Sequence, residues 1–423
     1  MATENGETRV LFINHSVRDG GPGRSLFYIL KHLDRRTVRP FVLIPRDDIF
    51  SERLKEESIY RDVIVDSRFP DGLLRPCLRG ILPEPKKNSG FLLTALLKIV
   101  YASVNIARIA ALIFTFGKVL REHNLDLIHC NGTIAKITGA FIGLFHGRPV
   151  VWHVRNIQQT RFLSFIITRL ARLGAVKKII CVSRATAVQF GNNPKVCVIH
   201  NGIDPEDFDP ERVEKGAVRK EFGIPKDTIV IGNAGRVVPR KGYGHMIGVA
   251  EKVLKSEKRG GGENLKFVIV GDTPGFFAKN HLAELKNEVE KKGLTDSFIF
   301  TGFRKDVAGC MADFDIFLMP SNYPDPFPRA VIEAMSLAIP VLGFKVGGIE
   351  ESVEQGVTGM LSPPANKGGP SPEDEMAAHL EILLDDANLR NTMGTAARER
   401  VIKLYSARLK TAEIQSVLLE AAV

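Results

Sequence analysis

Short apolar runs, each followed by a turn and then a helical pattern, recur along this chain, and the series starts twice. In the first series the runs are Val10–Asn14, Phe41–Ile44, Leu125–Cys130, Pro149–His153, Lys178–Val182 and Val196–His200. Asn201–Pro210 is rich in turn formers. A second series then opens at Thr228–Ala234 and continues through Leu265–Val270, Phe298–Thr301, Ile316–Met319 and Pro340–Phe344. Strands that read as apolar throughout and alternate with helices belong to parallel sheets covered on both faces. The pattern therefore predicts an α/β protein of two Rossmann-like, doubly wound domains facing a central cleft. The length of 423 residues suits two cores of about 200 residues each. The expected division is 1–204 for the first domain and 205–400 for the second, with a C-terminal helix at 401–423 packing back on the first. Lys258–Glu263 (KRGGGE) reads as a surface loop.

Charge is divided unevenly between the halves. Residues 1–200 hold 30 Lys+Arg against 15 Asp+Glu, whereas the remainder holds 28 against 33. Between Leu127 and His200 there are ten basic residues and no acidic one. Such asymmetry points to an anionic partner for the first half, and an anionic membrane surface qualifies. A surface simply solvated by basic side chains has the same composition. Nucleic acid would also suit the charge, but no nucleic-acid reader motif accompanies it, so none is expected as a partner.

The five cysteines, Cys77, Cys130, Cys181, Cys197 and Cys310, form no CxxC pair. That excludes zinc-ligand spacing and leaves no expected metal site. The odd count without pattern fits a reducing cytoplasm. The first ten residues, MATENGETRV, lack the basic and apolar regions of a signal peptide. The stretch Phe91–Phe116 is apolar but interrupted by Lys98, Asn105 and Arg108, so it falls short of the roughly 20 uninterrupted residues of a spanning helix. It reads as one or two buried helices, or as a helix lying on a membrane surface.

Five places could carry chemistry. The Gly-rich turn Asp19–Gly23 follows a strand and opens a helix over about Ser25–Leu33, which presents the N–H groups of Gly20 and Gly21 to an anion or polyol. It is not GxGxxG, and no acidic residue follows a second strand at dinucleotide spacing, so a nicotinamide cofactor fits poorly. His153 ends a strand (VVWHVRN), at the sheet edge where ligands bind in such folds, and Arg155 stands beside it. Alone, either residue is equally at home in a structural role.

In the second half, Asn233–Ala234–Gly235–Arg236 ends the first strand and Pro239–Arg240–Lys241–Gly242 follows. Two cations on a loop leading into a helix suit a diphosphate and would stabilise charge developing on a leaving nucleotide. Asp325 and Glu333 lie eight positions apart, one in a loop and one on the helix behind it. Acceptor-only carboxylates bind sugar and ribose hydroxyls well. Two carboxylates also suggest a glycosidase acid/base pair, but a hydrolase has no need of the cations upstream. Gly347–Gly348–Ile349–Glu350–Glu351 starts a further helix after a strand, a third meeting of backbone donors and carboxylates.

Taken in order, VSRA at Val182–Ala185, HNGID at His200–Asp204, GNAGRVVPRKG at Gly232–Gly242, IVGD at Ile269–Asp272, FTGFRKDV at Phe300–Val307, DPFPRAVIEAM at Asp325–Met335 and PVLGFKVGGIEE at Pro340–Glu351 resemble the retaining glycosyl transferase group 1 family, which has the GT-B fold. The resemblance covers nearly the whole chain. It implies a nucleotide diphosphate sugar as donor, most often a UDP- or GDP-sugar, and transfer with retention without a required metal or other cofactor. By the same resemblance Arg236 and Lys241 would hold the diphosphate, Glu333 the ribose and Asp325 the donor sugar. Phe303 and Arg304 would meet the base, and Ala330 and Val331 would line the donor. Gly20, Gly21 and His153 would form the acceptor side. The expected catalytic set is then His153, Asp325, Arg236 and Lys241. The donor phosphate itself would take the acceptor proton, so no protein nucleophile is required.

Two positions depart from the family pattern. Asp325 stands where Glu is usual, and Pro328, which has no N–H, stands where Gly is usual. Both fall in the sugar-binding loop and bear on the identity of the sugar. The acceptor implied is a glycan, in keeping with relatives that extend surface polysaccharides on lipid carriers at the inner face of the cytoplasmic membrane. Two readings stay open beside it: a nucleotide-sugar epimerase of the same fold, and a catalytically silent protein that binds nucleotide sugar or polysaccharide.

Overall fold

The computed structural model describes residues 6–14, 20–56, 62–70, 72, 91–256, 264–275, 277, 279–364 and 371–423. Asp19, Cys77 and the Lys258–Glu263 loop lie outside these described residues. The chain forms two compact units: residues 1–202 with 407–423, and residues 203–406.

The first unit is built on strands β1 (Thr8–Asn14), β2 (Val38–Ile44), β3 (Val63–Val65), β4 (Leu127–Asn131), β5 (Val150–Val154), β6 (Val176–Cys181) and β7 (Val196–Val198). All pair in parallel, in the order β3-β2-β1-β4-β5-β6-β7. Successive residues of β1 point to opposite faces, as the two-residue period of a strand dictates. Leu11 and Ile13 enter a core closed by the Phe91–Thr115, Gly117–Glu122, Thr133–His146 and Arg161–Leu170 helices, through residues such as Phe116, Leu120, Ala140 and Ile167. Val10 and Phe12 enter the opposite core, closed by the Gly21–His32, Ile49–Glu56 and Ala407–Ala422 helices through Leu26, Ile29, Phe50, Ile414 and Leu418.

The second unit carries β8 (Ile229–Ala234), β9 (Leu265–Val270), β10 (Phe298–Gly302), β11 (Ile316–Met319), β12 (Val341–Phe344) and β13 (Gly359–Ser362). These too are parallel, in the order β10-β9-β8-β11-β12-β13. The Tyr243–Leu254, His281–Lys291 and Pro372–Asp385 helices cover one face around Phe267, Ile269, Leu318 and Leu342. In each unit the strand order reverses once, between β1 and β4 and between β8 and β11. Ligands of such sheets bind beyond the C-terminal strand ends at that switch point.

Two expectations need correction. The final helical region is not one helix at 401–423: residues 401–404 end the Ala387–Leu404 helix of the second unit, and a separate helix, Ala407–Ala422, belongs to the first. The chain breaks the helix at Tyr405–Ser406, where Ile203 N–H donates to the Tyr405 carbonyl and Ile203 pairs with Ser406. The Phe91–Phe116 segment is not buried either. It is a single 25-residue helix, Phe91–Thr115, with its apolar side chains largely exposed.

Candidate active site

The switch point of the second unit is assembled from the loop after β8 and the loop after β11. At the end of β8, buried Asn233 donates from Nδ2 to the Leu318 carbonyl at 2.7 Å and accepts at Oδ1 from the Tyr243 hydroxyl at 2.8 Å. One side chain thereby ties β8 to β11 and to the helix that follows the loop. Burial pushes the Tyr243 phenol up, so it stays a neutral donor. The Pro239–Lys241 turn ends at Gly242, whose φ of +70° disfavours any side chain; a Cβ there would meet the Pro320 carbonyl oxygen at 2.0 Å. The turn is thus pressed onto the loop leaving β11. Buried Ser321 fixes it from the other side, donating to the Arg240 carbonyl at 3.0 Å.

This packing brings Lys241 to Asp325. Nζ donates to Oδ2 at 2.6 Å, with the two side chains 20% and 16% exposed. Both are accessible, and each keeps capacity for a ligand: Lys has three donors and a carboxylate several lone pairs. Arg236 is exposed on the same loop after β8. The Asp325 loop is clamped from behind. Gly348 N–H donates to the Asp325 carbonyl at 2.8 Å, and Cβ atoms built at Gly347 and Gly348 would meet Asp325 O at 2.5 Å and Pro326 O at 2.1 Å. Only glycine permits that backbone approach.

Glu333 lies on the Arg329–Ser336 helix that follows, buried with its i−4 neighbour Arg329; Nη2 and Oε1 are 3.1 Å apart. Pro328 caps this helix without an N–H. Val331 is fully buried and its N–H is used within the first turn, donating to the Pro328 carbonyl at 3.2 Å, whereas Ala330 is partly exposed. Phe303 and Arg304 follow β10, two strands away from β8. Phe303 is exposed, and Arg304 pairs with Glu221, which holds its guanidinium charged. The structure therefore places Arg236, Lys241, Asp325 and the Arg329–Ser336 helix on the elements of the switch point, with Phe303 and Arg304 two strands away at the end of β10.

In the first unit, Gly20 and Gly21 open the Gly21–His32 helix with no side-chain cap. Asn131, at the end of β4, donates from Nδ2 to both Asn14 Oδ1 and the Pro22 carbonyl, each at 3.1 Å, and so joins the two strands flanking this switch point. Its Oδ1 accepts from Arg155 Nε at 2.7 Å. Arg155 also donates to Asn201 Oδ1 at 2.5 Å and meets His153 Nδ1 at 3.3 Å. His153 itself is buried beneath Arg155, and His129 Nε2 lies 3.2 Å from the same Nδ1. A guanidinium can only donate, so His153 Nδ1 is an acceptor and the ring is neutral. Burial first, then the Arg155 charge, pulls both imidazoles down, His129 to about 3. The sequence points to His153; the structure has His153 and Arg155 together lining a small pocket with Ser25, Tyr28, Asn201 and Lys410, and Arg155 is the more accessible of the two.

Sequence reasoning also passes over Lys136. Its side chain is fully buried, Nζ is 3.5 Å from Asn156 Oδ1, and burial pulls its ammonium down to about 8. Its position inside an apolar helix, TIAKITGAF, gives no hint of burial.

Comparison with known proteins agrees with the architecture. The family model for glycosyl transferases group 1 matches residues 214–400, and that for glycosyltransferase family 4 matches residues 19–207. The chain is 29% identical over 204 residues to 2-deoxystreptamine glucosyltransferase of Streptomyces kanamyceticus, a match spanning 47% of this chain and 48% of that enzyme, about half of each. It is 24% identical over 266 residues to the Escherichia coli UDP-Gal:alpha-D-GlcNAc-diphosphoundecaprenol alpha-1,3-galactosyltransferase, covering 58% of this chain and 64% of the relative. The crystal structure of Anabaena HepE in complex with UDP and glucose superposes with a TM-score of 0.75 at 23% identity, over 98% of this chain and all of the other. Two parallel-sheet units with their switch-point loops, each matched over its own half by a glycosyltransferase family model, give the chain the GT-B fold.

Proposed function

We propose that the protein is a retaining glycosyltransferase that moves a sugar from a nucleotide diphosphate sugar to a lipid-linked glycan acceptor in surface polysaccharide biosynthesis. The observation that carries this reading is the Lys241–Asp325 pair at the β8/β11 switch point. A cation beside an acceptor-only carboxylate matches a donor whose phosphates and sugar hydroxyls adjoin. Lys241 and Arg236 neutralise the diphosphate, Asp325 accepts from sugar hydroxyls, and Glu333 accepts from the ribose while Arg329 holds it. Phe303 and Arg304 meet the base, and Ala330 and Val331 line the donor. The leaving phosphate takes the acceptor proton, so Lys241 acts by stabilising charge and no metal or protein nucleophile is needed. Gly20, Gly21 and His153 form the acceptor side, with Arg155 beside His153.

Among nucleotides, UDP is favoured over GDP by the UDP held in the HepE structure, and the lipid-linked acceptor by the diphosphoundecaprenol substrate named for the E. coli relative. The basic first half then meets an anionic membrane surface, at the inner face of the cytoplasmic membrane. A thermal-shift panel of UDP-, GDP- and ADP-sugars, run on the wild type and on Glu333→Gln, tests the donor half. Stabilisation by one nucleotide class, lost in the variant, supports the reading; no shift with any of them rejects it.

A further inference from the structure

The Phe91–Thr115 helix is 25 residues long and belongs to a helical stretch, Leu92–Glu122, that is long and apolar enough to cross a membrane by length and composition. It is held to the first unit from Tyr101 onward. Tyr101, Leu112 and Ile113 are buried, Asn105 Nδ2 donates to the Gly72 carbonyl at 3.1 Å, and Arg68 donates to Thr115 Oγ1 at 2.7 Å. One side therefore packs on protein. The other side presents Leu92 (83% exposed), Leu96, Ile99 (64%), Ile106 and Phe114 (65%). Their spacings of four, three, seven and eight residues form a single stripe on an α-helix.

The stripe has neighbours. The Thr133–His146 and Arg161–Leu170 helices cover the same face of the sheet, and they expose Leu144, Phe145, Phe162 (76%) and Phe165. The Phe114 and Phe145 rings touch, with centroids 5.2 Å apart. From Phe91 to His200 the chain holds fourteen Lys+Arg against two carboxylates, Glu122 and Asp126. Exposed Arg161 and Arg169 share a helix with Phe162 and Phe165, and the Arg169 guanidinium lies 5.0 Å from the Phe165 ring centroid, so cations adjoin the apolar face, which matches a surface that is apolar inside and anionic outside. A second copy of this chain would bring the same positive charge to the contact, and the two copies would repel each other.

We infer that this helical face is a monotopic membrane anchor: the Phe91–Thr115 helix lies in the plane of an anionic bilayer, its Leu92–Phe114 stripe sunk among the acyl chains and Phe145, Phe162 and Phe165 seated beside it. The inference deepens the membrane part of the reading above and rests on it only for where the acceptor lies. An in-plane helix keeps both ends at one depth; a spanning helix does not. Leu96 and Phe114 are eighteen residues apart, roughly 27 Å along the helix at 1.5 Å per residue.

The test uses the full chain with vesicles of phosphatidylcholine and phosphatidylglycerol. The wild type floats with anionic vesicles and much less with pure phosphatidylcholine, and binding weakens as salt rises. Leu96→Glu with Ile99→Glu, both exposed positions, lowers binding at least about tenfold while leaving UDP-sugar thermal shifts unchanged. Tryptophan placed singly by Leu96→Trp and Phe114→Trp is quenched to the same extent by lipids brominated at one shallow acyl position, above the background of buried Trp152. Absence of vesicle binding by the wild type, or binding indifferent to the Glu pair, overturns the anchor. Unequal quenching at the two ends replaces it with a crossing helix, and a concentration-dependent dimer dispersed by the Glu pair replaces it with self-association. Donor shifts are read separately, so loss of the donor reading leaves this result standing.

Discussion

Lys241 Nζ lies 2.6 Å from Asp325 Oδ2, across 84 positions of sequence, and joins the two loops that meet at the switch point of the second unit. Before donor binds, each charge is the other's partner. On the proposed reading a diphosphate would compete for the ammonium and a sugar hydroxyl for the carboxylate, so neither would be stranded when the ligand leaves. Replacing Lys241 by Met is expected to lower kcat for transfer by about 10²-fold, the scale of losing one donor to developing charge. Unfolding free energy should fall by no more than about 1 kcal/mol, since the pair is partly solvated. Steady-state kinetics beside urea denaturation separates the two effects, and a large stability loss would reassign Lys241 to a structural role.

Glu333 and Arg329 are a different case because both are buried. Glu333→Ala leaves a buried guanidinium without this carboxylate and should cost about 3 kcal/mol or more of stability, whereas removing both charges with Arg329→Met and Glu333→Leu should recover most of it. Donor binding should be lost in both. Recovery of stability together with donor affinity in the double variant would show that Glu333 has no part in binding ribose.

Gly242 couples turn geometry to the site. Gly242→Ala places a Cβ at φ +70° and against the Pro320 carbonyl, which forces the Lys241 turn away from the Asp325 loop. A strain of about 1–2 kcal/mol follows from the left-handed backbone alone. The expected signature is a raised KM for donor, and an unaltered KM would mean that the loop absorbs the shift.

His153 should contribute nothing to the pH dependence of activity. Its ring is held neutral by burial and by the guanidinium of Arg155, so the pH–rate profile between 5.5 and 8 should keep its shape in His153→Gln. Arg155→Lys, which loses the forked contacts to Asn131 and Asn201, should raise the acceptor KM. A step near pH 6.5 that vanishes in His153→Gln would return the proton-carrying role to this histidine.

Lys136 makes a prediction about stability. Its folded value of about 8 lies below its ordinary 10.5, so between those pH values the unfolded chain binds the extra proton. Stability from this group therefore rises with pH over that window and is lowest below pH 8. Lys136→Met should stabilise the protein at pH 7 by up to about 3 kcal/mol and flatten the rise above pH 8, as read by denaturant titrations at pH 7 and 9.5. An unchanged pH profile would show that the ammonium is solvated.

Most of the fold was readable because both faces of each sheet are covered. Eleven apolar runs each correspond to a strand, whereas β3 (Val63–Val65) and β13 (Gly359–Ser362) escaped. The first has three residues, and GMLS offers neither an unbroken apolar run nor alternation. Lys241, Asp325 and Glu333 stood out as charges at strand ends and helix starts. What tied them together did not: Asn233, Tyr243 and Ser321 act through long-range hydrogen bonds that leave no local pattern. The Gly347–Gly348 pair was visible as a helix start, yet its task of admitting the Asp325–Phe327 backbone is set by tertiary contact alone. His153 was legible as a strand end; that Arg155 stands beside it in the more accessible position is set by packing, which leaves no local pattern.

The Ala407–Ala422 helix completes the sheet cover of the first unit, placing Ile414 and Leu418 against the face that carries Val10, Phe12 and Ile180. A ribosome makes those strands before the second unit and that helix after it. The half that emerges earliest thus waits, part of one greasy face bare, until the whole of its younger partner has been synthesised. Domains of a growing chain ordinarily fold from the N-terminus onward. Here the order of manufacture and the order of completion run opposite, and a late nonsense codon would cripple the oldest part of the molecule.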